Sequence, residues 1–410
     1  MVAGAFALPF TAGYARHPMD QDAWIKLANQ IGPGFAKGAA ERDATDTFVG
    51  EHYAVLRSKG VISAQVPTDL GGGGATHSTM GEMLRIFAHH DPSTALALSM
   101  HQHLVSAQVF NHAHGRPAPV LPRVAKENLV LVSTGARDWL DSNGTVRLTK
   151  EGFRVSAKKA FASGSPQGDI LVTSAPYEDP DAGWQVLHFA VSMKADGVSI
   201  GDDWKVHGMR ATGSQTVTLD DVLVPEATVV LRRPRGPFHE VFNLVVGAAL
   251  PLISAVYLGI AESAAEIATK IAKSNAAAID VQWAMGEMRS NLVVTQTLYA
   301  QMMRLVNDLD FVPSMDTTDE LLILKSSAVD SARITVERAM EVSAAAVSIV
   351  LLVSNNCCAM SGRSTTTRCL PSNKFASRVD SPSASTRSTD AHRHRARLRI
   401  GRLVGRHGAA

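Results

Sequence analysis

Three polar stretches in the middle of the chain combine residue types that could bind a flat aromatic cofactor. Ser133 and Thr134, residues 158–164 and residues 204–214 bring together hydroxyl groups, exposed backbone and aromatic rings. Hydroxyls and backbone amides can hydrogen-bond the edge of an isoalloxazine ring, while an aromatic side chain packs on its face. Turns and cores of ordinary β-structure contain the same residues, so the stretches taken singly leave both interpretations open.

A second group of reactive side chains is a set of histidines between residues 89 and 114. His101 and His103 are two positions apart, and on a helix such a pair points to different faces, because neighbours on one face are three or four apart. His112 and His114 also flank one residue, and no carboxylate reinforces them at a helical spacing. We therefore predict no metal site. One of these imidazoles is expected to act in a pocket as a proton donor or hydrogen-bond partner.

Four consecutive glycines, residues 71–74, could suggest a phosphate-binding loop. The sequence around them lacks the Gly-x-x-x-x-Gly-Lys-Ser/Thr arrangement and is not part of a strand–loop–helix unit. A flexible loop is the favoured interpretation.

The charge balance separates the end of the chain from the rest. The 410 residues carry a net charge of +2, but residues 361–410 hold ten Arg and one Lys against two Asp, a net +9, which leaves −7 for residues 1–360. The three cysteines also lie near this end, so the sequence offers no disulfide framework and no spacing typical of structural zinc. They are Cys357, Cys358 and Cys369.

This tail has three possible explanations. A basic segment can be a nucleic-acid-binding arm, or simply a solvated end. The abrupt change to Ser, Thr and Arg favours a third explanation, a shifted reading frame, over a binding arm. We predict that residues 348–410 are unstructured, because such a composition buries too little apolar area to offset its ordering entropy.

The hydrophobic pattern changes twice along the chain. Amphipathic helical segments come first, short apolar or alternating runs separated by Gly, Asp, Asn and Pro follow, and long Ala/Leu/Val-rich segments come last. We predict an α+β multidomain fold. Its parts are an N-terminal helical domain (1–127), a central β-barrel or sandwich (128–235), an incomplete C-terminal helical bundle (236–347) and an atypical tail (348–410).

The sequence favours a cytoplasmic address. No uninterrupted apolar stretch of about 20 residues occurs, so we expect no membrane-spanning helix. Residues 1–20 lack a basic start and are broken by glycine and proline, which is not the pattern of a signal peptide.

Several stretches, taken in order, resemble the acyl-CoA dehydrogenase superfamily. The most specific is the run from Met209 to Pro225, and the resemblance extends from about residue 20 to residue 345. The stretches that carry it are Gly60 to Pro67 with Gly71 to Gly74, Ala88 to Ala95, Lys159 to Gly164 (a form of the family's Lys-x-Trp-Ile-Thr-Asn strand), Trp204 to Pro225, Val281 to Met288 and Lys325 to Val342.

The resemblance implies a helical–β–helical fold that holds a flavin, FAD or alternatively FMN, between the β-domain and the C-terminal bundle. It also implies a homotetramer and a small-molecule substrate such as an acyl-CoA. Phe161 would take the place of the family's tryptophan against the ring, and Ser163 that of its hydroxyl neighbour. The cofactor-binding residues implied are Ser133, Thr134, Phe161, Ala162, Ser163 and Gln282.

The chain departs from the family's dehydrogenases at three places. Residues 268–280 contain no Arg-x-x-Phe-Gly motif, Ala344 and Ala345 replace a Gly-Gly pair, and no Glu follows Glu341 although many members place their catalytic glutamate in the final segment.

Three functions therefore remain open. The first is a flavin-dependent acyl-CoA dehydrogenase, in which a carboxylate removes the α-proton of the thioester. The second resembles the dibenzothiophene and hydroxyphenylacetate monooxygenases, which take reduced flavin from a separate reductase and need no such base. In that case the catalytic residues implied are Ser163 and a histidine such as His101, which would hydrogen-bond the oxygenated flavin or the substrate. The third is a non-catalytic flavoprotein remnant.

Overall fold

The computed structural model describes residues 19–273 and 277–343. Six α-helices form the described part of the N-terminal region. They are α1 (Gln21–Phe35), α2 (Ala39–Thr45), α3 (Gly50–Ser58), α4 (His77–His90), α5 (Pro92–Ala113) and α6 (Val120–Glu127). The predictions for residues 348–410, including their three cysteines, concern a part of the chain outside the described residues.

Asp91 and Pro92 form the start of α5. Asp91 accepts a hydrogen bond from the Thr94 backbone N–H at 2.8 Å, and Pro92 occupies the first turn, where its missing N–H is not needed. The other carboxylate oxygen of Asp91 accepts from the Arg42 guanidinium at 2.9 Å. Both side chains are buried, so this one carboxylate caps α5 and neutralises a charge inside the helical region.

The glycine-rich loop packs tightly against the segment before it. The backbone N–H groups of Gly71 to Gly74 donate to carbonyls of residues 63–68, and no amide of the four remains for a phosphate. A Cβ at Gly72 would overlap the Val66 carbonyl, and one at Gly73 would overlap the Trp24 ring. The backbone of this loop therefore packs so closely against its neighbours that only glycine fits. This corrects the interpretation as a flexible loop.

Two four-stranded sheets form the central region, with one short helix between the first two strands. The elements are β1 (Leu131–Ser133), α7 (Ala136–Asp141), β2 (Thr145–Thr149), β3 (Gly152–Ala162), β4 (Ile170–Asp179), β5 (Gly183–Ser192), β6 (Val198–Ile200), β7 (Gln215–Val224) and β8 (Val229–Pro234). One sheet has the strand order β1-β4-β5-β8, with β1 and β4 parallel, and the other has the order β2-β3-β7-β6.

The two sheets share one hydrophobic core. Phe153 of β3 meets Tyr177 of β4 edge to face, with ring centroids 5.2 Å apart, and Phe189 of β5 lies in the same cluster. Apolar side chains from both sheets thus face each other, as in a sandwich.

Three long helices follow. They are α8 (Val241–Ala272), α9 (Ile279–Val306) and α10 (Met315–Val342). By length and composition α8 could cross a membrane, with a mean hydropathy of 2.2 in its most apolar window, but 72% of that window is buried inside the molecule. It packs against α4 and α5 as well as against α9 and α10, so α8 is the core helix that joins the N-terminal and C-terminal helices.

The predicted fold class, helices followed by a β-region and then helices, is confirmed. The exact domain boundaries stay predictions.

We expect Asp91→Ala to lower the free energy of unfolding by about 3 kcal/mol, because it removes a helix cap and leaves Arg42 buried without one of its two carboxylates. Asp20→Ala is the matched control, since exposed Asp20 caps α1 and carries no buried partner, and it should cost about 1 kcal/mol. Urea unfolding of both variants measures the difference. Equal losses would contradict the assignment.

Candidate functional site

An exposed phenylalanine in a strained backbone conformation marks the end of β3. Phe161 keeps 62% of its surface exposed, and its φ is +60°, a region that non-glycine residues rarely occupy. The pairing of β3 with β7 is irregular between Lys159 and Ala162, so the strand bulges at this ring. Such bulges re-aim side chains, and strain of this kind concentrates at functional sites.

Two neighbours define the space around the Phe161 ring. Gly135, just after β1, lies so close that a Cβ there would be 3.5 Å from the ring. Trp204 meets it edge-on, with ring centroids 5.8 Å apart. An exposed ring beside a glycine and a second aromatic suits the flat face of a heterocycle.

One carbonyl group organises the loop that carries Trp204. The Met209 carbonyl accepts from the Trp204 indole N–H at 3.1 Å and from the Thr212 hydroxyl at 2.9 Å. Met209 is buried and has a φ of +58°, so this carbonyl is held in position by a left-handed residue. The loop thereby fixes an aromatic ring and a hydroxyl together.

A row of hydroxyl groups connects this loop to β3. Ser163 Oγ lies 2.8 Å from Ser214 Oγ, which lies 2.7 Å from Thr212 Oγ1. Thr212 and Ser214 are buried, whereas Ser163 is half-buried. The hydroxyl of Ser163 is therefore the accessible end of the row.

A buried ion pair supports the other predicted hydroxyl. Lys159 is fully buried, and its ammonium group donates to Asp138 Oδ1 at 2.8 Å and to the carbonyls of Asn143 and Ser174 at 3.0 and 2.6 Å. Burial lowers the pKa of Lys159, and Asp138 opposes that shift. Thr134 Oγ1 donates to the second oxygen of Asp138 at 2.7 Å. Sequence reasoning missed Asp138, because nothing in its local pattern shows that it faces a lysine 21 positions away.

His101 lies apart from this row, at the junction of α5 and β1. Its Nδ1 accepts from the Leu131 backbone N–H at 2.9 Å, so Nε2 carries the proton and donates to the Ile62 carbonyl at 2.9 Å. Burial lowers the pKa of His101 to about 4. With both nitrogens bonded to backbone, the geometry supports a positioning role that fixes β1 and not proton transfer to a ligand.

The remaining predicted residues differ in their surroundings. Ser133 is buried and donates weakly to the Met100 carbonyl at 3.5 Å. The side chain of Ala162 is fully buried in the β-core, so only its backbone could meet a ligand. Gln282 is exposed on the first turn of α9, an element that packs mainly against α8 and α10. The structure brings Gly135, the neighbour of Thr134, against Phe161, two positions before Ser163, and leaves Gln282 on a different element.

Among the described residues, no group of three or more His, Cys, Asp or Glu side chains could hold a metal ion.

Two other buried histidines resemble His101 in their titration. Burial lowers the pKa values of His77 and His103 to about 4.

This chain is similar to several known proteins. Residues 28–125 match the family described as acyl-CoA dehydrogenase, N-terminal domain. A Bacillus subtilis protein named as an acyl-CoA dehydrogenase is 27% identical over 345 residues, which are 78% of this chain and 86% of the relative. A Pseudomonas putida protein named as an FMNH2-dependent monooxygenase is 30% identical over 255 residues, or 59% of this chain. That match spans 60% of the monooxygenase's length.

Two solved structures have the same fold. A nitrososynthase from Micromonospora carbonacea var. africana aligns with a TM-score of 0.75 at 19% identity, covering 86% of this chain and 95% of its own. The FMN-bound TdsC of Paenibacillus sp. A11-2 aligns with a TM-score of 0.71 at 20% identity, covering 82% and 92%.

These findings define the class of protein. Residues 28–125 match the acyl-CoA dehydrogenase N-terminal domain and the chain shares its fold with the two solved structures, so the predicted resemblance is confirmed. Relatives are named as an acyl-CoA dehydrogenase and as an FMNH2-dependent monooxygenase, and the predicted class of enzyme, an oxidoreductase of this kind, is confirmed.

The low pKa of His101 predicts a loss of stability on acidification. The folded imidazole takes its proton near pH 4, whereas in the unfolded chain it does so near 6.5, so the unfolded state binds more protons between these values. The free energy of unfolding should fall as the pH drops from about 6.5 to about 4, by up to ~1.4 kcal/mol per pH unit from this group.

His101→Gln is the informative variant, because an amide can accept from Leu131 and donate to Ile62 but does not titrate. Urea unfolding at pH 7 and pH 5 should show a smaller acid loss for this variant than for the wild type. His207→Gln, at an exposed histidine, serves as the control and should match the wild type. An unchanged acid loss in His101→Gln would disprove this assignment.

Proposed function

We propose that the protein is a reduced-flavin-dependent monooxygenase that uses FMN. The observation that carries the proposal is that two carboxylates near the site residues in sequence, Asp138 and Asp203, already hold hydrogen-bond or ion-pair partners. Asp138 pairs with Lys159 and accepts from Thr134, and Asp203, next to Trp204, accepts from the side chain and backbone of Thr216. Those bonds from Thr216 lower the pKa of Asp203, which makes it a weaker base.

A dehydrogenase of this superfamily needs a carboxylate free to take the α-proton of a thioester. A monooxygenase needs no such base, because reduced flavin supplies two electrons to O2, and one oxygen atom enters the substrate while the other leaves as water. Among the described residues, Asp138 and Asp203 are therefore not free to act as that base, which favours oxygen chemistry. Relatives and structural neighbours support the same choice, since their names include an FMNH2-dependent monooxygenase and an FMN-bound protein.

The residues present fit a flavin. Phe161 and Gly135 would pack on the ring, while Ser163, Ser133, Thr134 and the backbone of Ala162 would hydrogen-bond its edge. His101 would hold β1, and so Thr134, in position through its two backbone hydrogen bonds. The assignment of Gln282 to the cofactor stays a prediction. Because Gln282 lies on α9, it could meet the cofactor only if the cofactor extends to that helix or if α9 of a second subunit approaches the site.

FMN is the favoured cofactor over FAD for two reasons. The chain lacks the Arg-x-x-Phe-Gly motif that reaches the dinucleotide in dehydrogenases, and structural neighbours are described with FMN. Because the reduced form must be supplied, we also propose a separate flavin reductase as a partner and the cytoplasm as the address.

A homotetramer is part of the proposal. Large apolar side chains are exposed on α9 and α10, where Trp283 and Ile279 are each 71% exposed and Ile323 is 58% exposed. Such a surface is more apolar than a monomer usually shows to water. Light scattering of the purified protein measures the assembly.

Acyl-CoA dehydrogenation is the second candidate. The observation that favours it is the Bacillus subtilis relative, which is named as an acyl-CoA dehydrogenase and of which the match covers 86%.

The two functions separate in one pair of assays. With a flavin reductase, NADH, FMN and O2, we expect oxygen-dependent product formation from dibenzothiophene, the compound in the name of one group of relatives. With bound oxidised flavin under argon, a panel of acyl-CoAs should leave the flavin absorbance unchanged. Anaerobic bleaching by an acyl-CoA would instead select the dehydrogenase, and turnover in neither assay would select the non-catalytic remnant.

Phe161→Ala should weaken flavin binding by about 1–3 kcal/mol, or roughly 5- to 150-fold in Kd, through the loss of aromatic contact. Trp184→Ala is the matched control, because Trp184 is a half-exposed aromatic on β5 whose ring meets Arg235, which is not one of the site residues named above. Fluorescence titration with FMN measures both Kd values. Equal values for wild type and Phe161→Ala would contradict this placement of the ring.

A further inference from the structure

We propose that Ser163 meets its ligand only as a hydrogen-bond acceptor, and that the site thereby binds reduced flavin more tightly than oxidised flavin. The inference rests on the proposed function and specifies how that same site chooses between two states of its cofactor.

The direction of the hydroxyl row follows from its inner end. The Met209 carbonyl has no proton to give, so Thr212 must donate its single hydroxyl proton to it. Thr212 can then only accept in its contact with Ser214, which makes Ser214 the donor at 2.7 Å. Ser214 has now used its own proton, so Ser163 must donate to Ser214 at 2.8 Å. Each hydroxyl proton points towards Met209.

Burial maintains this direction. Thr212 is fully buried and Ser214 is 4% exposed, so bulk water does not offer either hydroxyl another partner. The Met209 carbonyl also accepts from the Trp204 indole and from the Thr212 backbone N–H, and these bonds hold it in place. Reversing the row would take the proton out of the contact between Thr212 Oγ1 and the Met209 carbonyl, and two oxygen atoms would then face each other at 2.9 Å with only lone pairs between them.

The outer end of the row therefore has a fixed polarity. Ser163 Oγ is half-buried and keeps only lone pairs for whatever lies against it. A ligand N–H or O–H would form a hydrogen bond there, whereas a bare ring nitrogen or a carbonyl would place lone pair against lone pair.

The two redox states of isoalloxazine differ in this respect. Reduction converts a ring nitrogen that accepts hydrogen bonds into an N–H group that donates them. An acceptor-only Ser163 facing that edge favours the reduced state and disfavours the oxidised one. This difference suits a protein that receives reduced flavin from a reductase. A binding site selects one redox state of a flavin only if it binds that state more tightly than the other.

The test is the ratio of Kd values for oxidised FMN and reduced FMN, measured anaerobically with the full-length protein by ultrafiltration. We expect the wild type to bind reduced FMN at least tenfold more tightly. Ser214→Ala removes the acceptor for the Ser163 proton, so Ser163 can turn its O–H to the ligand and the ratio should fall by about tenfold. For a two-electron couple, a tenfold change is about 30 mV in the midpoint potential of the bound flavin, which gives an independent readout.

Three further variants separate polarity from general loosening of the loop. Thr212→Ser keeps the hydroxyl and should retain the ratio, whereas Thr212→Val should lower it. Ser165→Ala is the matched control, because Ser165 donates to the Gly213 carbonyl of the same loop but is not in the row. The ratio should be unchanged in this control.

Ser163→Ala alters a half-buried side chain and keeps the proposal testable if the buried variants do not fold. It should lower the ratio as Ser214→Ala does, and the double variant should show no further change, since both substitutions act on one contact. FMN binding with an unchanged ratio in Ser163→Ala or Ser214→Ala would overturn the inference and leave the proposed function intact. A protein that binds neither form of flavin would overturn both.

Discussion

The carbonyl group of Met209 is the point on which the candidate site depends. It accepts from the Trp204 indole, which stands beside the Phe161 ring, and from the Thr212 hydroxyl, which begins the row that ends at Ser163. The aromatic wall and the polar edge are thus attached to one oxygen atom. Its orientation requires a left-handed backbone at a non-glycine residue, a cost of the order of 1–3 kcal/mol that the rest of the loop must offset.

Contacts with the helical region and with β3 provide that compensation. The Val49 backbone N–H, before α3, donates to the Ala211 carbonyl at 3.2 Å, and Gly164 donates to the Thr212 carbonyl at 2.9 Å. Gly213 also has a positive φ, and a Cβ there would lie 2.5 Å from the Phe48 ring, so only glycine fits. The loop is therefore formed by docking of a helix edge against the end of a strand, and the site exists only in the assembled fold.

The sequence predicted the parts of the molecule whose signals are local. Asp91 with Pro92 marks a helix start because the two residues suit a helix cap and its first turn. The run from Met209 to Pro225 carries the family resemblance. Both can be recognised from neighbouring residues in the sequence, without knowing which residues meet in space. The pairing of Lys159 with Asp138 could not, because it depends on how β3 and α7 meet in space. His101 shows a related limit, since residue type suggested reactivity, whereas both ring nitrogens are bonded to backbone groups from distant segments. The four glycines of the 71–74 loop were recognised as special, but the reason, contact with Val66 and Trp24, is also tertiary.

A crystal structure of the protein with FMN tests the central claim most directly. We predict that the ring lies against Phe161 with its edge within hydrogen-bonding distance of Ser163 Oγ, and that the Met209 carbonyl keeps its bonds to Trp204 and Thr212. FMN bound elsewhere, or a Met209 peptide turned away from Thr212 in the presence of FMN, would contradict it.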